Sequence, residues 1–414
     1  MIHSGQLLRH LAFFETLAGL DETDAKWRST SAGLVVLRLL DDWMDQGPFP
    51  AGGNGWGIHA VRGAVEAMDV GNPTRLILAG IVDAIASGAE RSAITPRLLA
   101  YARALHYGAE WGLSADVYHT VISHAHPIEE SDSVIDANMQ YGYCSRMLGK
   151  WDEAAVAYAQ AGEIAVAVGD IVKVLRARVA DAKLAMDRGN LPKAEEILDE
   201  TIARASDPAG QLAEMRAIAL HERAAVAHMR GDYESSVRFA YDALDGMTNP
   251  AGRDRVLADI AAAFLELGVL TAARDALVVL AATAQEQYVR WASTVNLLDI
   301  AARERCEPIF EQYRRELADV SLPVSLEASY YLTVGKGFAG FGRIESARSA
   351  LTKAIDISIK HKLHQINHEA EAELQQLERS VRTTRKPSEY QPSGRVEEIV
   401  TAIHDMRQTA GLAR

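Results

Sequence analysis

Apolar residues recur at three- and four-residue spacing along almost the whole chain, and stretches of strict apolar–polar alternation are nearly absent. That period lines one face of a helix, so the pattern predicts an all-α protein. Proline agrees with it. Pro48, Pro50, Pro73, Pro96, Pro127, Pro250, Pro323, Pro387 and Pro392 fall between periodic stretches; Pro192 fits a helical first turn, where its missing N–H costs nothing, and Pro308 lies close to a helical pattern.

Comparing the chain with itself shows that the helices come in pairs. A helix, a turn glycine followed two residues later by a large side chain, and a second helix with small residues at fixed offsets recur. One copy reads Gly142, Gly149, Trp151, Ala154, Tyr158 and Ala161; the next has Ala182, Gly189, Leu191, Ala194 and Leu198. Then come Ala224, Gly231, Tyr233, Ser236 and Ala243, and Ala261, Gly268, Leu270, Ala273 and Leu277. A last clear copy has Gly335, Gly342, Ile344, Ala347, Leu351 and Ala354. The turn glycines 149, 189, 231, 268 and 342 are spaced by 40, 42, 37 and 74 residues. The last interval is twice 37, which places a degenerate copy at 290–317 with its turn near Arg305; another is expected over 94–126, around Trp111 and Ala115.

Small residues facing each other let two helices approach closely, and a glycine in the left-handed conformation caps the first. A single hairpin cannot bury its apolar face, so several must stack. In these residues the chain resembles the tetratricopeptide repeat (TPR) family over roughly 94–360, with a period of 37–42 residues in place of the usual ~34. The resemblance implies a right-handed α-α superhelical solenoid of TPR-like hairpins with an N-terminal helical cap. Its long period is similar to the arrays of bacterial peptide-sensing regulators and large signalling ATPases.

The repeat divides the chain. Residues 1–90 lack it and read as helices near 3–19, 24–46, 57–69 and 73–88, a bundle or divergent repeats. Residues 91–380 form the solenoid, ending in a long polar helix, 381–394 read as a flexible linker, and 395–414 as an amphipathic helix with Val396, Ile399, Val400, Ile403 and Met406 on one face. That face is expected to bury itself on its own solenoid, on a second copy as a homodimer, or on a partner.

Composition narrows the function. The 414 residues carry 43 Lys+Arg against 56 Asp+Glu, a net charge of −13, with 48% hydrophobic residues. That is enough to build a core, and the acidic balance disfavours nucleic acid and anionic membrane as partners. The two cysteines, Cys144 and Cys306, make neither a disulfide framework nor a metal knuckle. No targeting segment or membrane-spanning apolar run is visible, which gives the expectation of a soluble, cytoplasmic protein.

Several motifs have simpler readings than their chemistry suggests. Gly335-Lys-Gly-Phe-Ala-Gly340 matches a dinucleotide string but falls inside a first helix, where glycines serve packing. Gly52-Gly-Asn-Gly-Trp-Gly57 lacks the Lys-Ser/Thr ending of a phosphate loop. His361, His364 and His368 share the spacing of one helical face, and His119, His124 and His126 form a looser group; with no third ligand evident, both read as solvated. Asp41-Asp42 and Glu129-Glu130 read as helix-end and linker carboxylates. No nucleophile signature appears, and neither a cofactor nor a metal is expected.

In a TPR solenoid the first helix of each hairpin lines the groove. By register the groove presents Tyr143, Arg146, Arg176, Lys183, His221, His228, Arg255, Trp291 and Lys336, a basic and aromatic lining suited to an acidic segment or a C-terminal carboxylate. The expectation is a non-enzymatic scaffold or adaptor that holds a protein or peptide there. The alternative is a regulator sensing a peptide or small ligand through solenoid curvature.

Overall fold

The computed structural model describes residues 9–46, 55–206, 210–361, 363–378 and 390–412. They contain twenty helices and no strand, in two compact units, Met1–Ile197 and Leu198–Arg414. The first unit runs through α1 (Leu11–Ala18), α2 (Ala25–Gln46), α3 (Gly55–Glu66), α4 (Arg75–Ala86), α5 (Arg91–Tyr107), α6 (Trp111–His124), α7 (Ser131–Met147), α8 (Trp151–Ala167) and α9 (Ile171–Asp187). The division falls inside α10 (Leu191–Arg204). The second unit continues with α11 (Ala213–Met229), α12 (Tyr233–Leu244), α13 (Pro250–Leu267), α14 (Leu270–Thr283), α15 (Gln287–Arg303), α16 (Glu307–Ala318), α17 (Val324–Gly340), α18 (Ile344–His361), α19 (His364–Glu378) and α20 (Arg395–Thr409).

One turn closes every hairpin. Ala109, Gly149, Gly189, Gly231, Gly268, Arg305 and Gly342 all have positive φ between first and second helix. In each turn the following N–H donates to a carbonyl five residues back: Lys150 to Ser145, Asp232 to Ala227, Cys306 to Ala301 and Arg343 to Phe338, at 2.8–2.9 Å. This satisfies carbonyls that the helix end would leave open. The two degenerate copies use the same closure with Ala109 (φ 58°) and Arg305 (φ 56°) where glycine would be unstrained.

The small residues do what their spacing implied. A Cβ on Gly142 would stand 2.7 Å from Tyr158 Cδ1, and one on Gly335 2.6 Å from Leu351 Cγ, so each glycine admits the large side chain of the second helix. Gly337 likewise lies against Phe310. The dinucleotide-like string is therefore helix-packing surface at the C-terminal end of α17.

In the first unit a single core joins Phe13, Leu37, Leu40, Leu78, Ile81, Leu98, Tyr101 and Tyr118, so α1–α4 share apolar contacts with the first repeat hairpin. In the second, Val256, Ile260, Phe264, Leu277 and Leu280 form the largest core, and Phe310, Tyr330 and Phe338 the next. Within each unit successive first helices touch: α5 with α7 and α7 with α9, then α11 with α13, α13 with α15 and α15 with α17. By the TPR resemblance these stacked first helices are the inner face and the second helices the outer one.

Three readings from the sequence change. Pro96 lies inside α5, near its start, where few backbone hydrogen bonds are lost. The polar stretch ending the array is two helices, because Leu363 N–H donates to Ser358 O at 2.8 Å and ends α18. His361 therefore closes α18 while His364 opens α19, and the three histidines do not share one helical face. The glycine-rich connection at 47–54 and the linker at 381–389 lie outside the described residues.

Candidate functional site

All nine groove residues stand on first helices: Tyr143 and Arg146 on α7, Arg176 and Lys183 on α9, His221 and His228 on α11, Arg255 on α13, Trp291 on α15 and Lys336 on α17. Their surroundings differ from the basic lining the register suggested. Arg146 Nε lies 3.3 Å from Asp187 and Arg176 Nη1 3.8 Å from Asp136, a carboxylate that also accepts from Arg103 at 2.6 Å. His221 Nε2 stands 2.6 Å from Asp259, Arg255 Nη2 2.9 Å from Glu286, and Lys336 Nζ 3.1 Å from Glu369. Lys173 of α9 bridges to Asp132 of α7 in the same manner.

The inner faces therefore carry a ladder of ion pairs between neighbouring first helices, and their charge is mixed. The acids were within reach of the sequence. Adding one repeat period of about 40 residues to Asp132, Asp136 or Arg146 lands on Lys173, Arg176 or Asp187, and the shorter period carries His221 to Asp259.

Beside these pairs in the first unit, aromatic side chains of α5, α6 and α7 pack on one another. The His106 ring lies 5.0 Å from both Trp111 and Tyr143, Trp111 lies 5.7 Å from Tyr143, and the Arg146 guanidinium sits 5.3 Å over Tyr143. Such spacings are typical of edge and cation–π packing. Burial lowers the His106 pKa and pushes the neighbouring Cys144 thiol up to about 11, so that thiol is not a thiolate nucleophile at neutral pH. His228 packs on Tyr233 at 5.1 Å, and Trp291 rests against the core of α15–α18. Both are thus partly committed to packing.

Asp41 departs from its reading as a helix-end carboxylate. It is buried, 3.0 Å from His10 Nε2 and 3.5 Å from His124 Nε2. Burial alone would raise its pKa, but hydrogen bonds from the two histidines, together with the charges of His10 and Arg9, hold it well below the usual carboxylate range. Among the described residues no group of three His, Cys, Asp or Glu side chains could hold a metal ion, and no helix is long and apolar enough to cross a membrane.

Known proteins place the fold. No family model matches the chain, and no curated protein matches it. Among solved structures, the apo form of the quorum sensor NprR from B. thuringiensis matches with a TM-score of 0.50 at 14% identity, covering 83% of this chain and 92% of that one. NprR in complex with its cognate peptide NprX matches at 0.44 and 13%, covering 83% and 91%. A tetratricopeptide repeat protein from Parabacteroides merdae matches at 0.36 and 13%, covering 82% and 99%. The fold is an all-α, TPR-like array of helical hairpins.

Proposed function

We propose that this chain binds an extended protein or peptide segment on the inner face of its first helices and acts without catalysing a reaction, as a scaffold or adaptor. The observation that carries this reading is the repetition of polar and aromatic side chains on successive first helices: exposed Arg176 and Arg255, part-buried Tyr143, Lys183, His221 and Lys336, and the largely buried Arg146 beside them. A ligand spread over several stacked hairpins gains from many contacts on a face already held in place by its own ion pairs. Because the cations are paired, a ligand of mixed or neutral charge suits the face better than a uniformly acidic one.

A second reading is a peptide-sensing regulator, and the likeness in fold to the quorum sensor NprR favours it. Arg176 and Arg255 have side chains 52% and 60% exposed, so reversing their charge leaves the cores untouched. Affinity capture from native lysate, with bound polypeptides identified by mass spectrometry, should recover a ligand with the wild type. The folded Arg176→Glu/Arg255→Glu chain should lose it, and recovery of the same set by both would contradict the proposal. Compaction of the chain on ligand addition, seen by solution scattering, would select the sensor over the adaptor.

A further inference from the structure

The apolar face of α20 is covered in this chain. Val396, Ile399 and Ile403 are 3%, 0% and 0% exposed and join the core that contains Val237 and Ala240 of α12 and Ala272, Ala276 and Val279 of α14. Since α12 and α14 are second helices, α20 lies on the outer face, away from the side chains assigned above to ligand binding. A polar clamp fixes its direction. Asp275, buried on α14, accepts from Arg407 Nη1 at 2.6 Å, and its other oxygen lies 2.8 Å from His404 Nδ1. At the opposite end Arg395 reaches Asp242 of α12 at 3.2 Å and lies over Tyr241.

We infer that the slot between α12 and α14 is a helix-binding groove with α20 as its built-in occupant, and that it fits a partner protein's amphipathic helix bearing the same pattern: aliphatic residues at the first, fourth and eighth positions and a cation at the twelfth. Three features point that way. The first is that α20 belongs to no hairpin; it follows α19 in sequence yet packs back on α12 and α14. The second is Asp275, an acid in an apolar slot, which demands a cation from whatever helix lies there. The third is incomplete filling. Beside His404 and Arg407 an open cleft of about 570 Å³ runs between α20 and α14–α16, with a mixed wall of Val278, Leu297, Ile300 and Ile309 and of Arg274, Glu304 and Gln312.

A tethered helix competes at an effective concentration of ~mM, so a free helix binds well only when α20 is weakened. The test uses the full chain and a fluorescent peptide of residues 394–412, titrated by anisotropy. The peptide is expected to bind the Ile403→Glu chain at least tenfold more tightly than wild type. Arg407→Glu in the peptide should remove that gain. An Ile399→Glu chain serves as a second variant should the first fold poorly. In wild type the α20 amides should exchange hydrogen faster than those of α13. Equal protection of α20 and α13, or equal peptide binding to wild type and variant, would overturn the inference. Concentration-dependent dimerisation of wild type by exchange of α20 would assign the groove to a second copy and overturn it too.

Discussion

Asp259 of α13 stands 2.6 Å from His221 of α11, one repeat further along the chain. The pair shows how the inner face is built: the same contact that bridges two first helices also occupies a side chain that a ligand would otherwise meet. Exposed pairs of this kind contribute little to stability, about 0–1 kcal/mol each. Asp259→Asn combined with Glu286→Gln should therefore leave the thermal unfolding midpoint within a few degrees of wild type. The same change should increase retention of acidic peptides relative to neutral ones on the immobilised chain. Unchanged preference would show that the carboxylates do not govern ligand charge.

Close helix approach gives a sharper stability prediction. Gly142→Ala forces a methyl group into the Tyr158 ring and should destabilise by about 1–3 kcal/mol. Gly162→Ala puts its methyl 3.6 Å from Ala177 Cβ, an ordinary contact, and should be neutral or stabilising by up to about 1 kcal/mol. Urea unfolding of both variants, followed by helical circular dichroism, distinguishes the two positions.

The turns that lack glycine are strained where their equivalents are relaxed. Arg305→Gly and Ala109→Gly should each stabilise by about 1 kcal/mol, the scale of the left-handed penalty. Gly268→Ala, at φ 78°, should cost a similar amount. If Arg305→Gly lowered the unfolding midpoint, the turn geometry assigned to the degenerate repeat would be wrong.

Burial on α9 raises the pKa of Asp181 to about 6, partly opposed by Arg178. The folded chain then holds this proton more tightly than the unfolded one, whose value is 3.8. The contribution is fully present below pH ~4 and is lost as pH rises through ~6. Asp181→Asn should accordingly be more stable than wild type at pH 7, by about 1 kcal/mol after allowance for solvent screening, and no more stable at pH 4. Denaturation midpoints at the two pH values decide it.

Helix pairing was legible because it rests on local chemistry: a turn glycine, a large residue two positions on, small residues at fixed offsets. Even the degenerate copies were found by counting, and Arg305 adopts the expected turn. The break after His361 was hidden because its capping bond runs to the Leu363 N–H, and leucine carries no turn signal. The ladder of carboxylates was missed for a different reason. Asp132, Asp136, Asp187 and Asp259 each lie about one period from their partners, so they are visible only when the period is applied to charged positions as well as to glycines, whereas Glu286 and Glu369 lie 31 and 33 residues from Arg255 and Lys336 and escape that count. Asp41 could not have been found so, since it meets His10 and His124 through tertiary packing of α2 against the chain before α1 and the end of α6. The amphipathic pattern of α20 was plain, but its seat on α12 and α14 depends on Asp275, which in sequence is one acid among many.

The central proposal is that an extended protein or peptide segment engages the first helices. The most direct measurement places a photo-crosslinking amino acid at Arg176 or Arg255 on the inner faces, or at Val156 on the outward side of α8, and irradiates each chain in native extract. A discrete crosslinked polypeptide is expected from the two inner positions and none from Val156. Crosslinks from Val156 alone, or none from either inner position, would contradict it.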